Sequence, residues 1–485
     1  MHQLGALDNL MIAGEMPNIP LHMSALMIYD TRGKRGARRI YDALFSRLED
    51  VADNHFPILR CRLDEVPLNL DKAYWVRDTR FELGYHIKRI ALPRPANWQE
   101  LYQLFGQFHA QPLDRQRPLW ELMLVEGLDN VKGVRGGGTA LCMKIHHSVV
   151  DGKSALRLIR GLHSPDPEPE AATFIEREPP QPADDREFAP PSLLAKLGLA
   201  WWHGVERPVE LVATLGKLLP GLWPGQDSRV APTAPGGVPR VAFNHPVDAD
   251  RVVGHVRMHQ PTLKKVARKF HCTINDIALC VVAGALREHL MAQDSLPERD
   301  LLALMPIDIR REREDGSIGN QVSVAKVSLF THMDDVAERL QAISEHASAG
   351  KAGSREGSSR AMLELVDEIH PAIILGLGDW LVSSGHIDDL PQTVNTVVTN
   401  VPGPQGDAYL AGAKLVDYLG FGPLAPNIGL FHTVSSAQEH VNISFLSTAA
   451  FMADGKAYRK ALENALRSVL ALGTARGKRG DKGSN

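Results

Sequence analysis

His146-His147-Ser148-Val149-Val150-Asp151-Gly152 is the stretch on which the reading of this 485-residue chain turns. The residues before it, Thr139 to Ile145 (TALCMKI), are an apolar run of strand length. Those after it, Lys153 to Leu162 (KSALRLIRGL), place Ala155, Leu158, Ile159 and Leu162 on one helical stripe. The two histidines therefore fall at a strand-to-helix turn, closed by an Asp-Gly step. Histidine's ordinary pKa suits it to proton transfer near neutral pH. An imidazole base at a turn is the expectation, and with it an enzyme.

Other chemistries fit this stretch less well. A zinc site would need a third ligand at a recognisable spacing, and there is no HExxH and no CxxC pair. A serine nucleophile would call for a GxSxG elbow, which is absent. The bland alternative is that Asp151 only caps the helix while both histidines stay within the core.

Composition sets bounds around this. Lys and Arg number 54 against 57 Asp and Glu, a net charge of −3 that gives no reason to expect nucleic acid as a partner. Cys61, Cys142, Cys272 and Cys280 are widely spaced, which suits a reducing cytoplasm better than a disulfide framework. The opening MHQLGALDNLMIAGEMPNIP has no basic leader and carries Asp8 and Glu15, unlike a secretory signal. No run reaches the roughly 18 apolar residues of a spanning helix. Membrane contact would be peripheral.

Strand-like and helix-like runs interleave in both halves. Leu26 to Tyr29 reads as a strand and Arg38 to Leu48 as a helix. Trp98, Leu101, Phe105 and Phe108 recur at helical spacing. Further on, Leu263 to Phe270 and Ile274 to Leu290 read as helices, and Thr393 to Thr399 and Val441 to Leu446 as strands. The fold class expected is α/β, with two mixed lobes. The division is 1–180 for a first lobe, 181–240 for a proline-rich and helical linker, 241–473 for a second lobe, and 474–485 for a basic, disordered tail. Within the linker, Ser192 to Pro224 is apolar and interrupted by Pro208. It reads as a helical hairpin on the body; its Trp201, Trp202 and Trp223 also suit a lipid boundary.

Three further segments carry local signals. Arg117-Pro118-Leu119-Trp120-Glu121 reads as a strand start. Thr273 and Asp276 fit a capping box at a helix start, which leaves the Asn275 amide free to project into a cleft. Thr399-Asn400-Val401-Pro402-Gly403-Pro404 reads as a turn after a strand.

HHSVVDG resembles the HHxxxDG signature of the coenzyme A-dependent acyltransferase superfamily. The superfamily includes chloramphenicol acetyltransferase-like enzymes and peptide-synthetase condensation domains. The segments LGALDNLMIAGEMPNIPLHM, RPLWELMLVEGL, INDIALCVVAGALR, MPIDIRRE and TVVTNVPGP narrow the likeness to bacterial wax ester synthase/diacylglycerol acyltransferases, in order and over nearly the whole chain. One departure is LSTAAFMADG, where relatives carry a Ser-Tyr, glycine-rich pattern.

The resemblance implies two chloramphenicol-acetyltransferase-like lobes with a substrate tunnel between them. It implies acyl-CoA as donor, a fatty alcohol or diacylglycerol as acceptor, and no cofactor. The catalytic set it implies is His147 as base, with His146, Asp151 and Asn275. His146 would support the turn or position the acceptor. Asp151 would fix the turn by pairing with an arginine, for which Arg310 is the candidate, and Gly152 would let the chain bend. Asn275 would donate to the oxyanion, and Glu15 would orient the acceptor or lie on the surface. The place implied is the cytoplasm, at the inner membrane face or a lipid inclusion. Two alternatives remain open here: a condensation-type or other HxxxDG hydroxyl acyltransferase, and a non-catalytic lipid-binding relative.

Overall fold

The structure, a computed structural model, describes residues 1–16, 18–31, 34–134, 136–150, 152–167, 188–204, 238–308, 322–353, 376, 380–381, 383–386, 392–404, 406–453 and 455–474. Asp151, Arg310, residues 205–224 of the expected hairpin and residues 475–485 of the expected tail lie outside them.

The chain begins with β1 (His2–Gln3), α1 (Ala6–Ala13), β2 (His22–Asp30), α2 (Lys34–Asn54), β3 (Cys61–Asp64) and β4 (Tyr74–Arg77). There follow α3 (Leu83–His86), β5 (Ile87–Ala91), α4 (Trp98–Ala110), β6 (Trp120–Leu128), β7 (Gly138–His146) and α5 (Gly152–Leu162). Residues 193–204 form α6. Then come β8 (Val252–His259), α7 (Gln260–Phe270), α8 (Ile274–Met291), β9 (Leu302–Asp308), β10 (Val322–Ser328) and α9 (Val336–Gly353). The last elements are β11 (Thr396–Pro402), β12 (Tyr409–Leu410), β13 (Ala413–Phe421), β14 (Leu430–Ala437), β15 (His440–Ser447), α10 (Ala449–Met452) and α11 (Lys456–Thr474).

Two six-stranded sheets organise these elements. The first has the order β12-β13-β2-β7-β6-β5 and the second β10-β9-β11-β14-β15-β8. In the first, only β5 and β6 pair in parallel; in the second, β11 runs parallel to both β9 and β14. The fold is thus α/β with two lobes, as expected. The boundary at 240/241 divides the chain but not the sheets. β13, far into the second half, pairs antiparallel with β2 from Lys414↔Asp30 to Phe421↔Ser24. Leu415, Leu419 and Phe421 are buried there, so this strand has apolar cover in a sheet that the N-terminal half builds.

β7 shows how side-chain alternation divides the interior. Leu141, Met143 and Ile145 point into a core shared with α2 and α5. Ala140 and Cys142 point the other way, into a core built with α4, β13 and residues of the second sheet such as Val253, Phe431 and Leu446. This second layer joins the lobes. Polar contacts reinforce it: Asn442 Nδ2 donates to Asp417 Oδ1 at 2.6 Å, Arg257 pairs with Asp417, and Tyr102 Oη bonds His255 Nδ1 at 2.9 Å. Gly403 of the Val-Pro-Gly-Pro turn sits at the same junction. A Cβ there would overlap the Ser436 carbonyl oxygen and press on the Tyr418 ring, so glycine is required by close approach. The third core fills the second lobe around α8, whose residues from Asp276 to Ala283 are all buried.

The described part of the linker is α6, which lies on the small sheet β1-β4-β3. Leu199 and Ala200 meet Val66, Tyr74 and Val76. Lys196 pairs with Asp64 at 2.7 Å and His203 with Asp71 at 2.6 Å. No single described helix is long and apolar enough to cross a membrane.

Candidate active site

The histidine pair ends β7, and both neighbouring strands hold it. His146 N–H donates to Leu119 O at 2.9 Å, just before β6. His147 N–H donates to Leu21 O at 3.0 Å, just before β2. Val149 N–H then turns back onto His146 O at 3.0 Å. Two segments far from the motif in sequence, RPLWELMLVEGL through Leu119 and LGALDNLMIAGEMPNIPLHM through Leu21, each supply a carbonyl that grips one histidine. α5 begins at Gly152, one residue before Lys153, where the sequence placed the helix start.

His146 is buried, at 1% exposure. Its Nδ1 accepts from Ser148 N–H at 3.2 Å and lies 2.7 Å from Ser148 Oγ. Since a backbone N–H can only donate, Nδ1 carries no proton, and the neutral ring holds its proton on Nε2. Burial is the main cause that pushes the His146 pKa down to about 3, with His147 and Arg115 adding to it. His146 is therefore neutral at working pH, and its Nε2 has no hydrogen-bond partner among the described residues. The nearest carboxylate oxygen, Glu15 Oε1, is 3.8 Å away. His147 is half-buried.

Glu15 is not a surface residue. Its side chain is 10% exposed, and Arg115 donates to Oε2 from Nε at 3.2 Å and Nη2 at 2.9 Å. Oε1 accepts from Leu21 N–H at 3.3 Å. Behind the motif lies a buried polar layer. His22, opposite His146 on β2, bonds His109 O through Nε2 at 2.6 Å. Ser24 Oγ bonds His109 Nδ1 at 2.8 Å. Burial lowers the pKa of both rings well below the usual histidine range. Lys144 closes the end of α4, donating to Phe108 O at 3.1 Å and Gln111 O at 2.8 Å, with Glu121 Oε2 at 3.3 Å. A buried ammonium costs stability unless it is paired and bonded, and here it is both.

Trp120 is a core anchor: its Nε1 donates to Leu59 O at 2.8 Å and His86 stacks on it at 4.4 Å. On the α5 side of β7 a small apolar cavity is lined by Leu48, Leu59, Trp120, Met143, Ile145 and Leu158.

In the second lobe, Thr273 and Asp276 form the expected capping box, with both halves present. Asn275 lies in the first turn of α8, half-buried, and its Nδ2 points at Met305 Sδ on β9 at 3.2 Å. Among the described residues no group of three or more His, Cys, Asp or Glu could hold a metal. Ser148, Arg115 and the Leu21 and Leu119 carbonyls are members of the site that the sequence reading missed. Only Ser148 left a trace, as a hydroxyl two residues after His146.

Known proteins resemble this chain over most of its length. The wax ester synthase/diacylglycerol acyltransferase catalytic domain profile matches residues 4–278, and the family's C-terminal domain profile matches residues 318–469. A Mycobacterium bovis protein named as a diacylglycerol O-acyltransferase is 31% identical over 428 residues, covering 85% of this chain and 79% of its own. A Mycobacterium tuberculosis protein of the same designation is 29% identical, covering 97% and 90%. Among solved structures, the wax ester synthase/diacylglycerol acyltransferase of Marinobacter aquaeolei VT8 superposes with a TM-score of 0.67 at 23% identity, over 98% of this chain and all of that one. The starter condensation domain of rhizomide synthetase gives 0.53 at 15% identity, over 98% and 94%. Both share the two-lobed fold. The catalytic-domain match spans more than half of the chain and contains the histidine turn, so the chain belongs to the wax ester synthase/diacylglycerol acyltransferase family and is an acyltransferase.

Proposed function

We propose that this acyltransferase moves a long-chain fatty acyl group from acyl-CoA directly to the hydroxyl of a fatty alcohol, a diacylglycerol or both. His147 is the general base. The observation that carries this reading is the turn itself: a half-buried imidazole whose backbone N–H is held by Leu21 O, beside a neutral, buried His146 whose N–H is held by Leu119 O. The imidazole takes the hydroxyl proton as the oxygen bonds to the thioester carbon. The tetrahedral oxyanion collapses, the C–S bond breaks, and the same proton passes from His147 to the CoA sulfur. Asn275 is the candidate oxyanion donor. Its amide now rests on a thioether sulfur, a weak acceptor, so turning it to an oxyanion forfeits little. Asp151 and Gly152 shape the turn, and Arg310 is the candidate partner of Asp151.

The test is free-thiol release from palmitoyl-CoA with no acceptor, with hexadecanol and with dioleoylglycerol, for the native chain and His147→Ala. Acceptor-dependent release that falls about 100- to 10,000-fold in His147→Ala is expected, the range general base catalysis contributes. Release independent of acceptor, or an active His147→Ala, would sink the reading.

The working place of the enzyme is the cytoplasm, in peripheral contact with a membrane or lipid inclusion. Support comes from α6, which turns Leu193, Leu194, Leu197, Trp201 (68% exposed) and Trp202 (55%) outward on one arc while its other face is docked. Trp and Leu favour the headgroup boundary. Trp201→Ser with Trp202→Ser is expected to reduce co-flotation with phospholipid vesicles; undiminished flotation would remove α6 from the contact.

A further inference from the structure

We infer that Arg115 and Glu15 are positioning residues for the base: an ion pair that holds His147 by its backbone, acting through Leu21. The inference rests on the reading of His147 as the base. Its geometry is a short chain of bonds. Arg115 donates twice to Glu15 Oε2, at 3.2 and 2.9 Å. The other oxygen, Oε1, accepts from Leu21 N–H at 3.3 Å. The carbonyl of the same leucine accepts from His147 N–H at 3.0 Å. Leu21 is thus held by Glu15 through one backbone group and holds the histidine through the other.

Arg115 has a second anchor, since its Nη2 donates to Ile12 O at 2.7 Å in the last turn of α1. The carboxylate therefore sits between a cation fixed to one helix and the strand start that grips the base. Glu15 Oε1 also lies 3.8 Å from His146 Nε2, so one oxygen faces both histidines, one directly and one through Leu21. An exposed ion pair would contribute little. This one has a 10% exposed carboxylate whose two oxygens have different partners, which gives it direction as well as charge. Moving a general base by about an ångström can cost on the order of 100-fold in rate.

The same bonds also support α1, so a loss of stability alone would not separate positioning from scaffolding. The discriminating readout is the split between kcat and KM, with rescue by conservative variants. Glu15→Ala and Arg115→Ala should each lower kcat about 10- to 100-fold while KM for palmitoyl-CoA stays within about threefold. Glu15→Gln keeps an oxygen for Leu21 N–H, and Arg115→Lys keeps a cation; both should recover much of the loss. The double alanine variant should be little worse than either single one, because both act along one path. A Glu15→Ala kcat within about twofold of the native value would overturn the inference, as would a loss confined to KM or additive losses in the double variant. His147→Ala is run alongside. If it retains activity, the base assignment fails whatever Glu15 does. If it is inactive while Glu15→Ala is unimpaired, only the positioning role fails.

Discussion

The end of β7 and the start of α8 are both turns rich in polar side chains, one in each lobe, and they satisfy those groups in different ways. At α8 the donors and acceptors answer each other locally. Asp276 N–H donates to Thr273 Oγ1 at 3.2 Å, and Thr273 N–H donates to Asp276 Oδ2 at 2.8 Å. At β7 the backbone is held from outside, His146 N–H by Leu119 O and His147 N–H by Leu21 O. His146 spends Nδ1 on Ser148, and its Nε2 has no hydrogen-bond partner among the described residues. The difference teaches how to tell a stabilising turn from a reactive one. Side chains that close on their own backbone fix the start of α8, whereas the end of β7 takes its main anchors from backbone carbonyls far away in the chain.

The largest expected effect is the one already set out for His147→Ala, since it removes the proposed base. The next sharpens the comparison from the other side. Asn275 sits inside the capping box of α8 but takes no part in it. If α8 contributes to chemistry at all, it does so through this amide. Asn275→Ala should lower kcat about 100-fold with little change in KM, the cost of losing one oxyanion donor. The helix should remain intact, because Thr273 and Asp276 still close on each other. Unchanged turnover would take Asn275 out of the oxyanion site and leave α8 purely structural.

Local chemistry was the part of this molecule most legible in its sequence. The strand-turn-helix around the histidines needed only periodicity and an Asp-Gly step. The capping box needed only a Thr and an Asp three residues apart. Strands written in an unbroken register, such as Val441 to Leu446, sit inside the observed β15. The expected strand Thr393 to Thr399 is offset: it begins at Thr396, after Asn395, which ties β9 to the loop before β8. Its side chain accepts from Leu302 N–H at 2.9 Å and donates to Asn244 Oδ1 at 2.8 Å. What stayed hidden depends on partners far apart in the chain. Nothing local in residues 413–421 announces that they pair with β2. Arg115 and Glu15 are 100 positions apart, and each alone looks like a surface charge. The second core layer, which joins the lobes, draws on both halves and has no single periodic segment to betray it.

The smallest expected effect tests whether the α8 turn is as self-contained as its hydrogen bonds suggest. Thr273→Ala removes the hydroxyl that accepts from Asp276 N–H, while the reciprocal bond from Thr273 N–H to the Asp276 carboxylate survives. Losing an N-cap hydroxyl costs about 1 kcal/mol. The α8 core around Ile277, Leu279 and Val281 is buried and should hold the helix in place. A lower urea midpoint with an unchanged slope is therefore expected, with acyl transfer within about twofold of the native rate. If transfer instead falls tenfold or more while the midpoint stays put, the start of α8 is coupled to the reacting groups. The division between a turn that stabilises and a turn that reacts would then have to be redrawn to put Thr273 on the reactive side.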